Sequence, residues 1–303
     1  MRACRYVFLA FLLCLFGCGW LSRGGTRPGL GLVVSDGSRR PKVGLVLGGG
    51  AARGFAHVGV IRVLEREKIP IDLIVGTSIG SLVGAIYADK KNGSELEGAA
   101  LGLEERDVFD YSFISPTQGF VRGERLEDFV LKKFSAREIE QLKLPFAAVA
   151  TDIENGEVVV LQSGSIARAV HASSAIPGVF IPVRYQGRLL VDGGVLNNAP
   201  VDVARKMGAE VVIAVDLGEG RQAAQVKNIF DTIVQSLYLM GLETTEARLR
   251  QADVVIRPKL SNIGLIDFSR KKEIVALGIE AAEQALPSIR AKLGLGPSVS
   301  AGR

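Results

Sequence analysis

Ser78 stands in the stretch GTSIG, two residues after Gly76 and two residues before Gly80. This is the G-x-S-x-G spacing of a nucleophile elbow, in which a serine at a sharp strand-to-helix turn presents its hydroxyl to a carbonyl carbon. The dipole of the following helix would favour the negative charge that develops there. Five-residue patterns also arise by chance, so the same residues are compatible with an ordinary turn.

A glycine-rich stretch, GGGAARG, occupies positions 48–54 directly after an apolar run. Glycines let the backbone approach a ligand closely, and free N–H groups at a helix start favour an anion such as the oxyanion of acyl transfer. The alternative ligand is a dinucleotide, whose fingerprint is G-x-G-x-x-G. Gly48, Gly50 and Arg53 give G-x-G-x-x-R instead. In addition, Asp72 begins a predicted strand, whereas a ribose-binding acid is expected to end one.

A third stretch, VDGGVLNNAP (191–200), contains an aspartate with little side-chain bulk around it. Asp192 ends a predicted strand, and Gly193 and Gly194 follow it. A carboxylate can act as the base for a serine hydroxyl where burial raises its pKa and a direct hydrogen bond fixes its position. The same Asp-Gly pattern is also typical of a simple turn.

The elements that must position these residues alternate between apolar strands and amphipathic helices. Strands are predicted at 42–48, 71–76, 145–153, 188–192, 210–217 and 253–258. Helices are predicted at 55–68, 79–90, 124–134, 165–172, 200–207 and 226–250. This alternation is typical of one α/β domain, a three-layer α/β/α fold with a mostly parallel central sheet. Because active groups of such sheets collect at the carboxyl ends of the strands, the three stretches are expected to meet at one edge.

Taken together and in this order, the motifs give the chain a resemblance to a known family. From about residue 43 to 275 it resembles the patatin-like phospholipases, a group of plant and bacterial lipid acyl hydrolases. The matching pieces are LGGGAARGFAHVGVI, GTSIG, ASSAIPGVFIPV and DGGVLNNAP. The resemblance implies a patatin-like fold and cleavage of ester bonds in phospholipids or lysophospholipids. It also implies membrane lipids as substrate, and neither a cofactor nor a metal ion.

The family uses a serine–aspartate dyad, so the resemblance puts the nucleophile on Ser78 and its base on Asp192. The residues that it implies for the oxyanion hole are Gly48, Gly49, Gly50 and Arg53. Four further glycines are expected to support the elbow and the dyad: Gly76, Gly80, Gly193 and Gly194. Many members carry another glycine where this chain has Ala51, whose N–H group can still donate.

The remaining polar residues of these regions are predicted to have structural duties. A dyad needs no imidazole, so His57 and His171 are interpreted as hydrogen-bonding residues of the core. Six others are expected to serve turns, helix ends or packing: Asp152, Asp216, Ser173, Ser174, Asn197 and Asn198. The stretch 104–126 is interpreted as a mobile lid or a surface loop.

The first seventeen residues, MRACRYVFLAFLLCLFG, have the pattern of a secretory leader. Two arginines precede an eleven-residue apolar run that is too short to span a bilayer as a helix. LFGC resembles a bacterial lipobox, which would make Cys18 a lipidated N-terminus, although a plain signal peptide is the alternative. We therefore expect a signal peptide at 1–17, a tether at 18–41, a catalytic domain at 42–275 and a C-terminal helix and tail at 276–303. The protein would be exported in a bacterium and anchored to a membrane by this lipid.

Composition excludes several other classes of function. The formal net charge is +5 and aromatic residues make up 6% of the chain, with no basic block, so nothing indicates nucleic-acid binding. The three cysteines all lie within the first eighteen residues, so the predicted domain has neither a disulfide nor a cysteine metal site. A non-catalytic lipid-binding or regulatory protein on the same fold remains an alternative function. The sequence does not indicate an oligomeric state.

Overall fold

An eight-stranded sheet forms the centre of the computed structural model, which describes residues 39–110, 120–218, 226, 229–265 and 267–296. Its strands are β1 (Val43–Leu47), β2 (Leu73–Thr77), β3 (Phe146–Asp152), β4 (Glu157–Leu161), β5 (Val183–Tyr185), β6 (Arg188–Asp192), β7 (Val211–Val215) and β8 (Val254–Ile256). The strand order is β5-β6-β3-β2-β1-β7-β8, and β4 also pairs with β3. The predicted leader, the predicted tether as far as residue 38, Cys18 and residues 111–119 of the predicted lid lie outside the described residues.

The sheet is parallel over its central strands and antiparallel at one side. Strands β1, β2, β3, β7 and β8 pair in parallel, whereas β4 and β6 pair antiparallel with β3, and β5 pairs antiparallel with β6. The parallel strands are buried along their whole length, apart from one half-buried residue in β8, and are apolar except for Thr77 at the end of β2 and Thr151 and Asp152 at the end of β3. This is expected of strands that helices cover on both faces. The predicted mostly parallel sheet is confirmed.

Helices connect and cover these strands. They are α1 (Phe55–Arg66), α2 (Ile79–Lys90), α3 (Gly93–Leu101), α4 (Glu105–Val108), α5 (Glu124–Lys133), α6 (Ile166–Ser174), α7 (Val201–Lys206), α8 (Ile229–Leu249) and α9 (Lys271–Lys292). Short 3-10 turns occur at Ala51–Gly54, Ile139–Gln141, Gly193–Val195 and Phe268–Arg270. In the part of the chain that the structure describes, no helix combines the length and the apolar character needed to cross a bilayer.

The two faces of the sheet carry unequal layers, so the three-layer prediction is confirmed. One face packs on α1, α2, α3, α5, α6 and α9 in a large apolar core. The other face packs on α7 and on Leu249, the last residue of α8. Strand residues alternate between the two cores, as Leu45 and Val46 do in β1.

Helix α9 belongs to the body of the domain because its backbone touches that of α1. A Cβ atom at Gly59 would lie 2.1 Å from the carbonyl oxygen of Val275, and one at Gly278 would lie 2.1 Å from that of Ala56. The boundary that the sequence suggested after residue 275 therefore falls inside α9, which begins at Lys271. The described residues from Arg40 onward form one compact unit.

Candidate active site

Ser78 lies at the sharp turn between β2 and α2, as the elbow pattern predicts. Its backbone has φ 55° and ψ −129°, a strained conformation for a residue with a side chain. The glycines on either side allow the turn to close: a Cβ atom at Gly76 would lie 2.4 Å from the carbonyl oxygen of Gly80, and one at Gly80 would lie 2.2 Å from that of Leu47. Ser78 is 7% exposed and lines a cavity, so its hydroxyl is accessible only from that cavity.

The strained backbone of Ser78 is held by Ser173, a residue that the sequence analysis interpreted as packing. The Ser78 N–H group donates to the Ser173 Oγ atom at 2.9 Å, and that hydroxyl donates in turn to the carbonyl oxygen of Val149 at 2.6 Å. Ser173 is fully buried in α6. Its position in ASSAIPG, a piece on which the family resemblance rested, was the signal available in the sequence.

Asp192 reaches the same edge of the sheet from an antiparallel strand. It ends β6 and pairs with Ala150 of β3, whose neighbour Val149 pairs with Thr77, the residue before Ser78. Gly193 must lack a side chain here because a Cβ atom would lie 2.1 Å from the carbonyl oxygen of Val149. The register of β6, rather than a parallel strand end, brings the carboxylate to the elbow.

Asp192 and Ser78 both line the cavity. The N–H group of Gly194 donates to Asp192 Oδ1 at 2.7 Å. Burial raises the pKa of Asp192 to about 6, against the opposing effects of the Ser78 side chain and of the hydrogen bond from Gly194. The carboxylate is therefore mostly ionised at neutral pH, yet basic enough to accept a proton from the hydroxyl.

The glycine loop lies beside the elbow, but its N–H groups are not equivalent. Gly48 donates to the carbonyl oxygen of Val215 at 3.1 Å, and Gly49 donates to the Oδ1 atom of Asn198 at 3.1 Å. No described residue accepts a hydrogen bond from the N–H group of Gly50 or Ala51. Both residues line the cavity, so their N–H groups are available as donors to a ligand there. The sequence-based assignment to Gly48 and Gly49 differs because those two amides are already occupied.

Arg53 lines the cavity while its guanidinium group is tied to a neighbouring loop. Its Nε and Nη2 atoms donate to the carbonyl oxygen of Ile263 at 3.0 and 2.9 Å. The N–H group of Arg53 donates to the carbonyl oxygen of Gly50 and closes the 3-10 turn that follows the glycine loop. Arg53 thus stabilises the glycine loop through its backbone bond to Gly50 and its side-chain bonds to Ile263.

Neither histidine lines the cavity among the described residues, and each has a structural hydrogen bond. His57 lies 2.8 Å from the carbonyl oxygen of Gly48 through Nε2, and burial lowers the pKa of this histidine to about 4. At neutral pH its Nε2–H group therefore donates to that oxygen and orients the glycine loop. His171 bonds Glu127 through Nδ1 at 2.6 Å.

The other acidic candidates serve turns and ion pairs. Asp152 accepts hydrogen bonds from the backbone N–H groups of Glu154 and Asn155 in the turn between β3 and β4. Asp216 accepts from the N–H group of Gly218 and pairs with Arg257 at 3.0 Å. Desolvation raises the pKa of Asp216, while the bonds from Gly218 and Arg257 oppose the rise.

Helix α8 contributes part of the wall of the cavity that Ser78 and Asp192 line. Apart from the dyad and the glycine loop, the lining is mainly apolar, and its aliphatic members are Ile176, Val195, Leu217, Val234, Leu237 and Leu265. Polar groups on α8 add Gln235, Tyr238 and Thr245. A mainly apolar cavity with a few polar groups beside a buried serine fits an acyl chain with its ester at the serine.

Comparison with known proteins agrees with this arrangement. A family model described as patatin-like phospholipase matches residues 45–205, just over half of the chain. A lysophospholipase NTE1 of Scheffersomyces stipitis is 33% identical over 269 residues, which cover 78% of this chain and 17% of that protein. Patatin-like phospholipase domain-containing protein 7 of Rattus norvegicus is 33% identical over 264 residues, which cover 76% of this chain and 19% of that protein. The chain therefore spans about a fifth or less of the length of these curated relatives.

Among solved structures, the fold is similar to that of VipD from Legionella pneumophila. The TM-score is 0.55 at 17% sequence identity, and the match covers 82% of this chain and 67% of that one. At this identity the likeness supports the fold only.

Proposed function

The chain belongs to the patatin-like phospholipase family, and from this premise we propose that it hydrolyses carboxylic ester bonds of phospholipids or lysophospholipids. The observation that carries the proposal is that Ser78 and the buried Asp192 meet at the wall of one mainly apolar cavity, where the Ser78 side chain acts on the pKa of Asp192. The curated relatives support the same chemistry, since their names are lysophospholipase and patatin-like phospholipase domain-containing protein.

In the proposed reaction, Ser78 and Asp192 act as nucleophile and base without an intervening imidazole. The Ser78 Oγ atom attacks the ester carbonyl carbon while Asp192 takes the hydroxyl proton. The N–H groups of Gly50 and Ala51 stabilise the oxyanion, and the N-terminus of α2 adds its dipole. The tetrahedral intermediate expels the alcohol, which receives the proton from Asp192, and an acyl-serine remains.

The second half of the reaction uses the same carboxylate. Asp192 accepts a proton from a water molecule that attacks the acyl-serine, the oxyanion forms again, and the fatty acid leaves as Ser78 recovers its proton. The raised pKa of Asp192 supports both steps because a carboxylate with a pKa of about 6 is a better base than an exposed one.

The apolar lining supports a fatty acyl chain as the group that enters the cavity. The lining of the cavity includes Val234 and Leu237 of α8 together with Leu217 and Leu265, and none of these four side chains carries a charge. Burying methylene groups there stabilises the complex by about 0.8 kcal/mol for each group. The head group stays outside this apolar part.

The decisive experiment measures fatty-acid release by the purified protein from phospholipids, lysophospholipids and short-chain esters. Ser78→Ala and Asp192→Asn test the dyad, and Ser174→Ala is the matched control on α6. Release by the parent and the control but not by the two dyad variants supports the proposal. A folded parent that binds lipid without releasing fatty acid, and that a serine-directed phosphonate does not label, would instead favour the lipid-binding alternative.

We also propose that Cys18 carries a lipid that holds the protein at a membrane and thus near its substrate. The support is the sequence alone, in which LFGC closes an apolar run after two arginines. Radiolabelled palmitate incorporation in a bacterial host tests this step. Label in the parent that is absent from Cys18→Ala supports the anchor, and equal label in both contradicts it.

A further inference from the structure

Asn198 joins the glycine loop to the segment that follows Asp192. Its Oδ1 atom accepts a hydrogen bond from the N–H group of Gly49 at 3.1 Å, and its Nδ2 atom donates to the carbonyl oxygen of the same residue at 3.5 Å. These residues are 149 positions apart in the chain. The Asn198 side chain therefore forms hydrogen bonds with both the N–H group and the carbonyl oxygen of Gly49.

These two hydrogen bonds set the direction of the free N–H group of the next residue, Gly50. In a trans peptide the C=O and N–H groups point to opposite sides. His57 holds the carbonyl oxygen of Gly48, and Asn198 holds the N–H group of Gly49, so both ends of that peptide are fixed. Asn198 also holds the carbonyl oxygen of Gly49. The next N–H group, that of Gly50, consequently points away from Asn198.

The loop that Asn198 holds lies against the nucleophile. A Cβ atom at Gly49 would be 3.1 Å from the Cβ atom of Ser78 and 2.5 Å from the Oδ1 atom of Asn198. A small rotation of the Gly49 peptide would therefore move the free donors relative to the serine. Displacements of this size matter in catalysis because a misplacement of about 1 Å can lower a rate about 100-fold.

Asn198 is also close to the base of the dyad. A Cβ atom at Gly194 would lie 3.0 Å from the Oδ1 atom of Asn198 and 3.0 Å from the Oδ1 atom of Asp192. The two oxygens are therefore no more than about 6 Å apart, the range within which a like charge raises a carboxyl pKa. Among the described residues that line the cavity, the other ionisable groups are Arg53 and Tyr238.

The neighbouring asparagine has a different role. Asn197 donates through Nδ2 to the Oδ1 atom of Asp202 in α7 at 2.9 Å, and its carbonyl oxygen accepts from the hydroxyl of Thr77 at 2.9 Å. Asn197 thus ties the loop to the sheet and to α7, whereas Asn198 reaches across to the glycine loop. The sequence NN alone does not separate these duties.

We propose that Asn198 is a positioning residue of the acyl-transfer site, which aligns the free donors of the glycine loop with Ser78 and does so with an uncharged group beside Asp192. The inference rests on the proposed hydrolase function. It requires an amide rather than a carboxylate, since an aspartate could still accept from Gly49 but would place a second negative charge near the base and the oxyanion.

Two substitutions separate alignment from charge. Asn198→Ala removes both hydrogen bonds to Gly49, so we expect kcat to fall by up to about 100-fold with KM within about twofold, on the scale of a misplacement of about 1 Å. The acid limb of kcat/KM against pH should stay where it is in the parent. Asn198→Asp keeps the shape and the acceptor, so we expect a lower kcat together with an acid limb that moves upward by about one pH unit.

Asn92→Asp is the matched control for the charge change. Asn92 caps α3 through its side chain, and aspartate caps a helix equally well. We expect this variant to keep the kcat, KM and pH profile of the parent. Urea unfolding of all four proteins verifies that they are folded under assay conditions.

The outcomes distinguish this inference from the proposed function. An active parent with unchanged kcat in Asn198→Ala would overturn the alignment role. An acid limb in Asn198→Asp that coincides with that of the parent would overturn the proximity to the base. A rise in KM of Asn198→Ala with unchanged kcat would show that Asn198 contacts the substrate, and it would overturn the positioning role. A folded but inactive parent refutes the hydrolase itself, and this inference with it.

Discussion

Replacing Asp192 with asparagine is expected to stabilise the folded protein at neutral pH while it abolishes ester hydrolysis. Asparagine has nearly the same shape and can still accept the hydrogen bond that Gly194 donates to Asp192 at 2.7 Å. It carries no charge, so the folded state no longer has to hold a buried carboxylate. The same burial that makes Asp192 a useful base therefore lowers the stability of the protein.

The size of the effect follows from the pKa of Asp192. Burial raises it from 3.8 to about 6. A difference of about two units, at about 1.4 kcal/mol for each unit, amounts to about 3 kcal/mol in the free energy of unfolding. Between these two pKa values the folded state binds the proton more tightly than the unfolded state, so stability falls as pH rises. The contribution of protonated Asp192 is complete below about pH 4 and is lost above about pH 6.

Urea unfolding of the parent and of Asp192→Asn at several pH values between 4 and 8 measures this contribution. The other ionisable groups titrate alike in both proteins, so their contributions cancel when the two free energies of unfolding are subtracted at each pH. We expect the stability of the variant relative to the parent to rise by about 3 kcal/mol between pH 4 and pH 7 and then to stay constant. The acid limb of kcat/KM for the parent should fall near the same pH, about 6.

A control with the opposite sign is available in Asp72→Asn. The hydrogen bond from Arg40 lowers the pKa of Asp72, against the effect of burial, so this carboxylate stabilises the protein as it ionises. The variant should become less stable relative to the parent as pH rises toward 3.8, the ordinary pKa of this carboxyl group, and the difference should change little above that, so this pair is measured below pH 4 as well. A difference for Asp192→Asn that does not change with pH, or that changes in the same direction as the control, would refute the reasoning about the buried base.

Three further substitutions test the packing that holds the elbow, each by urea unfolding and fatty-acid release. Ser78→Gly should gain about 1 kcal/mol because glycine adopts the positive φ without strain, and it should be inactive; a variant less stable than Ser78→Ala contradicts the strain. Ser173→Ala should lose about 1–3 kcal/mol and slow hydrolysis because the Ser78 N–H group is left without its acceptor, whereas Ser174→Ala should do neither. Gly80→Ala should unfold or abolish activity, since its Cβ atom would lie 2.2 Å from a backbone oxygen, whereas Gly98→Ala, with open space around it in α3, should gain about 0.5–1 kcal/mol. Equal effects of the two alanines would refute the close contact.

Much of the site could be predicted from short segments of sequence. The elbow at Ser78 and the glycine loop each lie within a few residues of a strand end and a helix start, so local patterns suffice to place them. Leu47 at the end of β1 pairs with Gly76 of β2 and also with Val215 of β7. The glycine loop that follows β1 and the elbow that follows β2 therefore lie side by side, as expected of parallel neighbours. The functions proposed for these segments rest on the residue types that they bring together.

The direction of β6 was the main feature that the sequence analysis missed. A two-residue turn joins β5 to β6, and both of its residues, Gln186 and Gly187, have positive φ. This is the geometry of a tight hairpin turn, and glycine at its second position was the available signal. The strand therefore runs antiparallel to β5, and it also pairs antiparallel with its other neighbour, β3. The prediction that Asp192 ends a strand of a mostly parallel sheet left the direction of this strand open.

The sequence by itself determined the chemical groups of the site, because motif spacing within a strand, turn and helix fixes which residues reach the strand ends. Only the tertiary structure decided which of them are free to act. Gly49 is occupied by Asn198 across 149 residues, Ser78 is held by Ser173 across 95, and Asp192 is basic because the fold buries it. These properties depend on strand register and on desolvation, which arise from contacts between distant parts of the chain and leave no periodic pattern along it.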